Sequence, residues 1–251
     1  MIRTLPSYST ASELRHPQVS LDQVVRKVEV AKQQTRVLLD GVSWVLHAGQ
    51  RVAVLSRNLA QADAFVSCAA GVASVHAGKV EIDAHVSWPM GQQQALLGIL
   101  TARQNASFLQ RIYGSKANRK DELEQIRYLS DFEDNLFDLP MNSYSKAMKA
   151  RFRLALSLCF NFDVFIVPKL EAWSFRSSSI RAQRFRQAFE FATAGKTLLV
   201  SNPDEAFQNA YCSEGLVLED ARLAFEGDLE ACRAWLKGRS PQPKTGAKLS
   251  L

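Results

Sequence analysis

The chain has 251 residues, of which 47% are hydrophobic and 22% are charged, and it carries a formal net charge of +6. This composition is ordinary for a globular protein with a substantial core, and the length suits a single α/β domain. The positive charge does not indicate a nucleic-acid-binding surface, because most of it lies in residues 237–251, at Lys237, Arg239, Lys244 and Lys248.

No segment predicts a membrane span, a metal site or a disulfide. The longest apolar stretch, Leu154–Val167, is interrupted by Asn161 and Asp163 and is too short to cross a bilayer. The first twenty residues lack the apolar run of a signal peptide. The four cysteines and four histidines are scattered and form no ligand set. We therefore expect a cytoplasmic protein without a bound metal.

The patterning divides the chain into a leader, one domain and a tail. Residues 1–17 contain two prolines and a Ser/Thr cluster, which predicts a flexible leader, and residues 18–236 form the predicted domain. Residues 237–251 are predicted to be a flexible basic tail, which either remains solvated or touches acidic headgroups or neighbouring proteins.

The first part of the predicted domain is mainly β. Extended segments are predicted at residues 24–30 and 37–46, and the short apolar run at residues 51–56 is typical of a buried strand. A helix is predicted at residues 60–71, and a further strand pair is predicted at residues 80–88.

A mostly helical insertion then separates this part from the remaining strands. Helices are predicted at residues 101–137 and 144–160, and buried strands at residues 163–167 and 196–201. This alternation predicts an α/β fold with a mainly parallel core sheet, an antiparallel β part near the N terminus and an inserted helical subdomain at about residues 95–160.

Four segments carry a family resemblance. They are Ser87–Gly91 (SWPMG), Leu100–Asn105 (LTARQN), Tyr144–Arg151 (YSKAMKAR) and Leu156–Asp163 (LSLCFNFD). These segments resemble the ATP-binding subunits of ATP-binding-cassette (ABC) exporters of capsular polysaccharide, and the likeness extends over about residues 19–235. The resemblance implies an ABC-ATPase-like P-loop fold and an inner-membrane exporter built from two such domains and two permease subunits.

The segment that matches the phosphate loop of this family departs from its pattern. A loop GxxxxGK[ST] uses glycines to bring backbone N–H groups onto the phosphates, a lysine to bind them and a hydroxyl to bind Mg²⁺. Here Ser56 and Gln61 replace glycines, Ala62 replaces the lysine and Asp63 replaces the hydroxyl residue. The whole matching segment consists of Ser56, Arg57, Asn58, Leu59, Ala60, Gln61, Ala62, Asp63 and Ala64. We expect no ordinary ATP binding at this segment.

The other positions that the resemblance assigns to ATP chemistry are also altered. Pro168 and Lys169 stand where the family has the carboxylates that bind Mg²⁺ and polarise water, and Asn202 stands at the switch histidine. The expected glutamine between the subdomains is Leu97, and the adenine-stacking tyrosine is about Val28. These changes together predict that the chain is degenerate in its ATPase motifs and binds no ATP or Mg²⁺ cofactor unless the altered site still accepts them.

The family's signature loop is partly retained, as Ser145, Lys146 and Ala147 before Met148. The helix that starts after Ser145 is the one that addresses the γ-phosphate of a partner domain in the family. Lys146 either adds to that contact or points to solvent. The loop is therefore expected to remain able to complete the ATP site of a partner.

Asp63 and Lys169 suggest a possible replacement for the lost site. In the family fold their positions face each other across the space of the metal and the γ-phosphate, and the two substitutions have opposite charge. One hypothesis is a direct ion pair that fills the emptied site. The alternative is two unrelated solvated charges.

Three functions follow from these patterns. The leading prediction is a non-hydrolysing subunit of polysaccharide export, peripheral on the inner face of the inner membrane, which forms a homodimer or heterodimer and binds a permease, an active ATP-binding subunit or both. The alternatives are a soluble regulator or scaffold of polysaccharide synthesis and an ATPase with repurposed site residues. Candidate permease contacts, or else core residues of the helical subdomain, are Trp88, Met90, Leu96, Leu97 and Leu100.

Overall fold

The computed structural model of the chain describes residues 16–30, 34–92, 96–114 and 119–238. The predicted leader therefore lies outside the described residues except for its last two positions, and so does the predicted tail beyond Gly238.

The strands form two sheets. The first is antiparallel, with β1 (Pro17–Val30) between β2 (Gln34–His47) and β4 (Ala77–Ile82). The second contains β3 (Arg51–Ser56), β5 (Val164–Val167), β6 (Thr197–Val200), β7 (Glu214–Glu219) and β8 (Arg222–Asp228) in the order β5-β6-β3-β7-β8. All pairs in the second sheet are parallel except β7–β8. The mainly parallel core and the N-terminal antiparallel part are confirmed.

The helices cover the faces of the second sheet. In chain order they are α1 (Leu59–Ala69), α2 (Ala102–Tyr113), α3 (Arg119–Ser130), α4 (Asp134–Phe137), α5 (Lys146–Cys159), α6 (Ile180–Ala192), α7 (Glu205–Tyr211) and α8 (Leu229–Leu236). A short 3₁₀ helix (Met141–Ser143) precedes α5. Helices α2 to α5 lie between β4 and β5 in the chain, in agreement with the predicted helical insertion.

Two apolar clusters meet at the second sheet. One contains α1, the antiparallel sheet and one face of the second sheet, whereas the other contains the inserted helices, α6, α7 and the opposite face. Strand β5 shows the division, because Val164 and Ile166 belong to the first cluster and Phe165 and Val167 to the second. Successive side chains of a strand point to opposite faces, so a strand with a helix layer on each side reads as a continuous apolar run.

Two sequence-based predictions about individual elements need correction. Residues 83–88 do not form a second strand and instead run beside the edge of β5. A regular ladder does not form there, because the Ile166 N–H donates to the Ser87 hydroxyl and Pro89 has no N–H to donate. The predicted helix at residues 101–137 consists of α2, α3 and α4, since Gly114 ends α2 and Asp131 adopts a left-handed conformation (φ 59°) after α3. The elements α6, α7, α8, β7 and β8 were not predicted.

Candidate functional site

The segments that the sequence analysis assigned to the ATPase motifs converge at one edge of the second sheet. Strands β3, β6 and β5 are parallel neighbours, so their carboxyl ends lie together. The segment at Arg57, the residues Pro168 and Lys169, and the residues Ser201 and Asn202 follow these three ends. The Ser201 N–H donates to the Val167 carbonyl at 2.9 Å, which holds the last two ends in register.

The segment after β3 is a closed turn followed directly by a helix. Only Arg57 and Asn58 separate the end of β3 at Ser56 from the start of α1 at Leu59. Asn58 is the N-cap of α1, and its side-chain oxygen accepts from the Ala60 N–H at 3.2 Å. The Asn58 N–H donates to the Ser56 hydroxyl at 3.1 Å, and that hydroxyl donates to the Gln61 side-chain oxygen at 3.1 Å. These bonds use polar groups that an open phosphate loop would direct at a ligand.

The side chains of this segment do not point toward a common ligand. Ala62, which matches the phosphate-loop lysine, is only 2% exposed and packs in the apolar cluster of the antiparallel sheet, together with Ala64. Gln61 is also buried, whereas Leu59 is 55% exposed. The residue that the sequence places at the phosphate-binding lysine therefore faces the core.

Asp63 contacts the end of β6. Its carboxylate accepts a hydrogen bond from the Ser201 hydroxyl at 3.4 Å. Partial desolvation of the carboxylate raises the pKa of Asp63 above its ordinary value, and the Ser201 hydrogen bond partly opposes this shift.

The proposed Asp63–Lys169 ion pair is wrong. Within the described residues no ion pair joins the two side chains, and the exposed Lys169 borders a different cleft together with Met90 and Arg153. The strand order explains the separation, because β6 lies between β3 and β5. Two strand spacings amount to about 10 Å, and Ser201, the residue directly after β6, occupies the place facing Asp63.

Arg57 binds other parts of the protein. Its guanidinium forms an ion pair with Glu219 at the end of β7 and donates to the Leu236 carbonyl at the last residue of α8. A cation at this end of a helix bonds an otherwise free carbonyl and interacts favourably with the helix dipole. Arg57 thus attaches α8 to the turn after β3, an arrangement that the sequence did not reveal.

Asn202, at the position of the switch histidine, stabilises the start of α7. Its side-chain oxygen accepts from the Asp204 N–H at 3.0 Å, and its carbonyl accepts from the Gln208 side chain at 2.7 Å. The residue is buried. Asn202 therefore has a local structural role, and Pro168 at the end of β5 is likewise buried.

Leu97 lies on an exposed segment that Asn105 holds against α2. The Asn105 side chain accepts from the Leu97 N–H at 2.9 Å and donates to the Leu97 carbonyl at 3.0 Å. Asn105 is 2% exposed, whereas the Leu97 side chain is 55% exposed. Asn105 belongs to the LTARQN segment, but its anchoring role was missed because nothing in the sequence indicates its partners.

The residues of the signature loop lie at the exposed start of α5. Ser145 is the N-cap, and its hydroxyl accepts from the Met148 N–H at 3.2 Å. Lys146 and Ala147 follow in the first turn and are exposed. This helix packs in the cluster of the inserted helices, whereas α1 packs in the other cluster, so the structure does not bring the signature loop and the phosphate-loop segment into one core.

Two of the candidate permease contacts belong to the core. Trp88 donates its indole N–H to the Ser157 hydroxyl at 2.9 Å and is 8% exposed, and Met90 is 1% exposed. Leu96 and Leu100 are half-buried, and Val28, at the adenine-stacking position, packs partly buried against the cluster of the antiparallel sheet. Exposed apolar side chains that the sequence did not single out are Ile99, Phe108 and Ile112.

No protein-family model matches the chain. Among curated proteins it is 27% identical over 205 residues to the capsule polysaccharide export ATP-binding protein CtrD of Neisseria meningitidis, covering 79% of this chain and 89% of that protein. It is 27% identical over 195 residues to the ATP-binding protein BexA of Haemophilus influenzae, covering 78% and 87%. It is 30% identical over 125 residues to the polysialic acid transport ATP-binding protein KpsT of Escherichia coli, covering half of this chain and 55% of that protein.

Solved structures agree on the fold. A structure of the ATP-binding subunit of an ABC transporter superposes with a TM-score of 0.68 at 16% identity, covering 90% of this chain and 95% of that one. A dimeric structure of the ATP-binding cassette MJ0796 bound to ADP and Pi gives a TM-score of 0.65 at 16% identity, covering 84% and 98%. The chain therefore has the ABC ATPase fold, and it is homologous to ATP-binding proteins of capsule polysaccharide export.

Proposed function

We propose that this chain is a non-hydrolysing subunit of polysaccharide export. It occupies the inner face of the inner membrane by binding an integral permease, and it pairs with an active ATP-binding subunit or with a second copy of itself. Its role is to complete the assembly and not to bind ATP at its own phosphate-loop position.

The closed turn between β3 and α1 is the observation that carries this proposal. A phosphate loop needs several residues between strand and helix so that backbone N–H groups can surround the phosphates. Here the connection has two residues, Asn58 caps the helix, and Gln61 bonds Ser56 across the turn. The lysine position is an alanine directed into the core. An incoming triphosphate would find no lysine at this position and would meet the like charge of the Asp63 carboxylate.

The neighbouring positions support the same conclusion. Lys169 places a cation where a hydrolytic cassette needs a carboxylate to polarise water, and Pro168 offers no ligand to Mg²⁺. The polar groups of Asn202 are engaged in starting α7. Loss of each group would reduce activity, and their combined loss removes the metal ligands, the phosphate anchor and the general base.

Calorimetric titration of the purified full chain with ATP, with and without Mg²⁺, tests the proposal directly. We expect no binding up to millimolar ATP and no phosphate release. Micromolar binding accompanied by turnover that Asp63→Ala abolishes would refute the proposal, since it would place a working site at this segment. The permease-bound protein should be assayed in the same way, because a partner can organise a site that the free chain lacks.

An exposed apolar strip on the inserted helices supports a membrane-protein partner. Phe108 and Ile112 are one turn apart on α2 and are 53% and 58% exposed, and Leu97 and Ile99 lie on the segment that Asn105 anchors to the same helix. Contiguous exposed apolar side chains on a folded protein commonly mark interaction sites. No helix in the described part of the chain combines the length and apolarity needed to cross a bilayer.

The docking role of the strip is testable by co-purification with a co-expressed permease of a capsule exporter. We expect the double substitution of Phe108→Ser and Ile112→Ser to reduce permease recovery at least tenfold, because losing two buried apolar side chains at an interface costs about 2–4 kcal/mol. Ile180→Ser is the matched control, since Ile180 is 71% exposed on α6. Equal recovery of all three proteins would argue against this docking surface.

A further inference from the structure

A polar cleft lies between the middle of α5 and the loop after β5. Its volume is about 490 Å³, and it is bordered by Met90, Gln92, Ala150, Arg153, Lys169 and Glu171. This volume is within the range of small-molecule sites. The cleft is separate from the phosphate-loop segment, which faces the end of β6 through Asp63.

Arg153 borders this cleft and leaves one of its donors without a partner, as Arg186 and Arg233 do elsewhere in the chain. Its Nε is shielded from solvent and has no hydrogen-bond partner, and within the described residues its guanidinium forms no ion pair. Buried N–H groups of charged side chains are normally bonded, so an acceptor is missing from the protein itself. Because guanidinium is a planar fork of donors, the acceptor that suits it best is a carboxylate or phosphate oxygen.

One further cation borders the cleft, and two more lie on the same face of α5 as Arg153. Lys146, Lys149 and Arg153 are spaced by three and four residues, so they share one face of α5, and Ala150 on that face borders the cleft. Lys169 approaches from the other wall. In the part of the chain that the structure describes, none of these four cations has an ion-pair partner, and Glu171 is the only acidic residue that borders the cleft. Like charges in a concave site concentrate a positive potential.

We infer that this cleft is a binding site for a small molecule with at least two anionic oxygen groups. Arg153 binds one group with its free donors, Lys169 binds another from the opposite wall, and Lys149 and Lys146 attract the ligand to the opening. Lys169, which does not pair with Asp63 of the phosphate-loop segment, thus binds an anionic group of the ligand. The site extends beyond the proposed export function and does not depend on it.

Titration of the full chain with pyrophosphate and, separately, with citrate at low ionic strength tests the inference. We expect saturable binding of at least one probe that weakens with added salt. Binding of pyrophosphate alone identifies a phosphorylated ligand, binding of citrate alone identifies a carboxylate ligand, and either result supports the site.

Variants locate the binding. Arg153→Gln and Lys169→Glu should each weaken it about tenfold or more, since each removes a charge-assisted contact. Arg36→Gln is the matched control, because Arg36 is an exposed residue of β2 and its loss changes the net charge without touching the cleft. Circular dichroism would verify that each variant is folded. Absence of binding to either probe, unchanged affinity in the cleft variants, or an equal loss in Arg36→Gln would overturn the inference.

Discussion

Restoring the lysine of a phosphate loop by Ala62→Lys should destabilise this protein and should not restore ATP binding. Ala62 is 2% exposed and packs within the apolar cluster that α1 shares with the antiparallel sheet. A lysine there must either bury its ammonium group or displace its neighbours to reach solvent. In an open phosphate loop the same side chain would extend toward the ligand.

The magnitude follows from the burial. Fully burying a lysine lowers its pKa by about 3–5 units, and because the buried amine loses its proton once its pKa falls below 7, the cost at neutral pH is about 4–5 kcal/mol. The added methylenes cost about 1–3 kcal/mol by overpacking, and partial escape of the ammonium group to solvent recovers some of the total. We therefore expect a loss of about 3–6 kcal/mol, a large part of the stability of a typical domain.

The matched control is Ala60→Lys, at an exposed position in the first turn of the same helix. A cation near a helix N terminus is unfavourable by up to about 1 kcal/mol, so this variant should remain close to wild type. Urea unfolding followed by far-UV circular dichroism gives both values. Equal stability of the two variants, or micromolar ATP affinity in Ala62→Lys, would refute the reasoning, because position 62 would then be solvent-facing.

Two further predictions concern the same segment. Asn58→Ala should lower the free energy of unfolding by about 1 kcal/mol through loss of the α1 cap, whereas Asn58→Ser should retain most of it in the same urea titration. Asp63→Asn should stabilise the protein at neutral pH, because desolvation raises the pKa of Asp63 and the folded state then binds the proton more tightly than the unfolded chain. The free energy of unfolding of the wild type should therefore fall, relative to that of Asp63→Asn, as pH rises from about 4 to 7. Urea titrations of both proteins across that range measure the difference. A difference that stays constant with pH would contradict the raised pKa of Asp63.

Local patterning was sufficient for the central elements of the fold. The run Val164–Val167 is apolar at every position, and the structure places it inside a sheet covered on both faces. The same pattern at residues 51–56 and 196–201 identified the two other parallel strands that carry the altered motifs. Residues 83–88 were misassigned because an extended, partly apolar segment does not reveal whether a partner strand is present, and only the edge of β5 was available.

Burial was much less accessible from the sequence. For Trp88 and Met90 the sequence left open a permease contact or a place in the core; packing against the inserted helices buries both, whereas Phe108 and Ile112 remain exposed. The residue type of an apolar side chain is the same whether the side chain is buried or exposed. Whether it is covered depends on which helices pack beside it, and that is a property of the assembled layers.

The sequence by itself indicated the buried strands β3, β5 and β6, the helical insertion between β4 and β5, the family likeness and the residues expected at the phosphate-loop, carboxylate and switch positions. These follow from short-range periodicity and from residues that can be counted along the chain. Only the tertiary structure decided that Asp63 meets Ser201 and that Lys169 joins Arg153 at another cleft. The reason is the position of β6 between β3 and β5, because spatial neighbours in a parallel sheet are set by the crossover connections and not by separation along the chain.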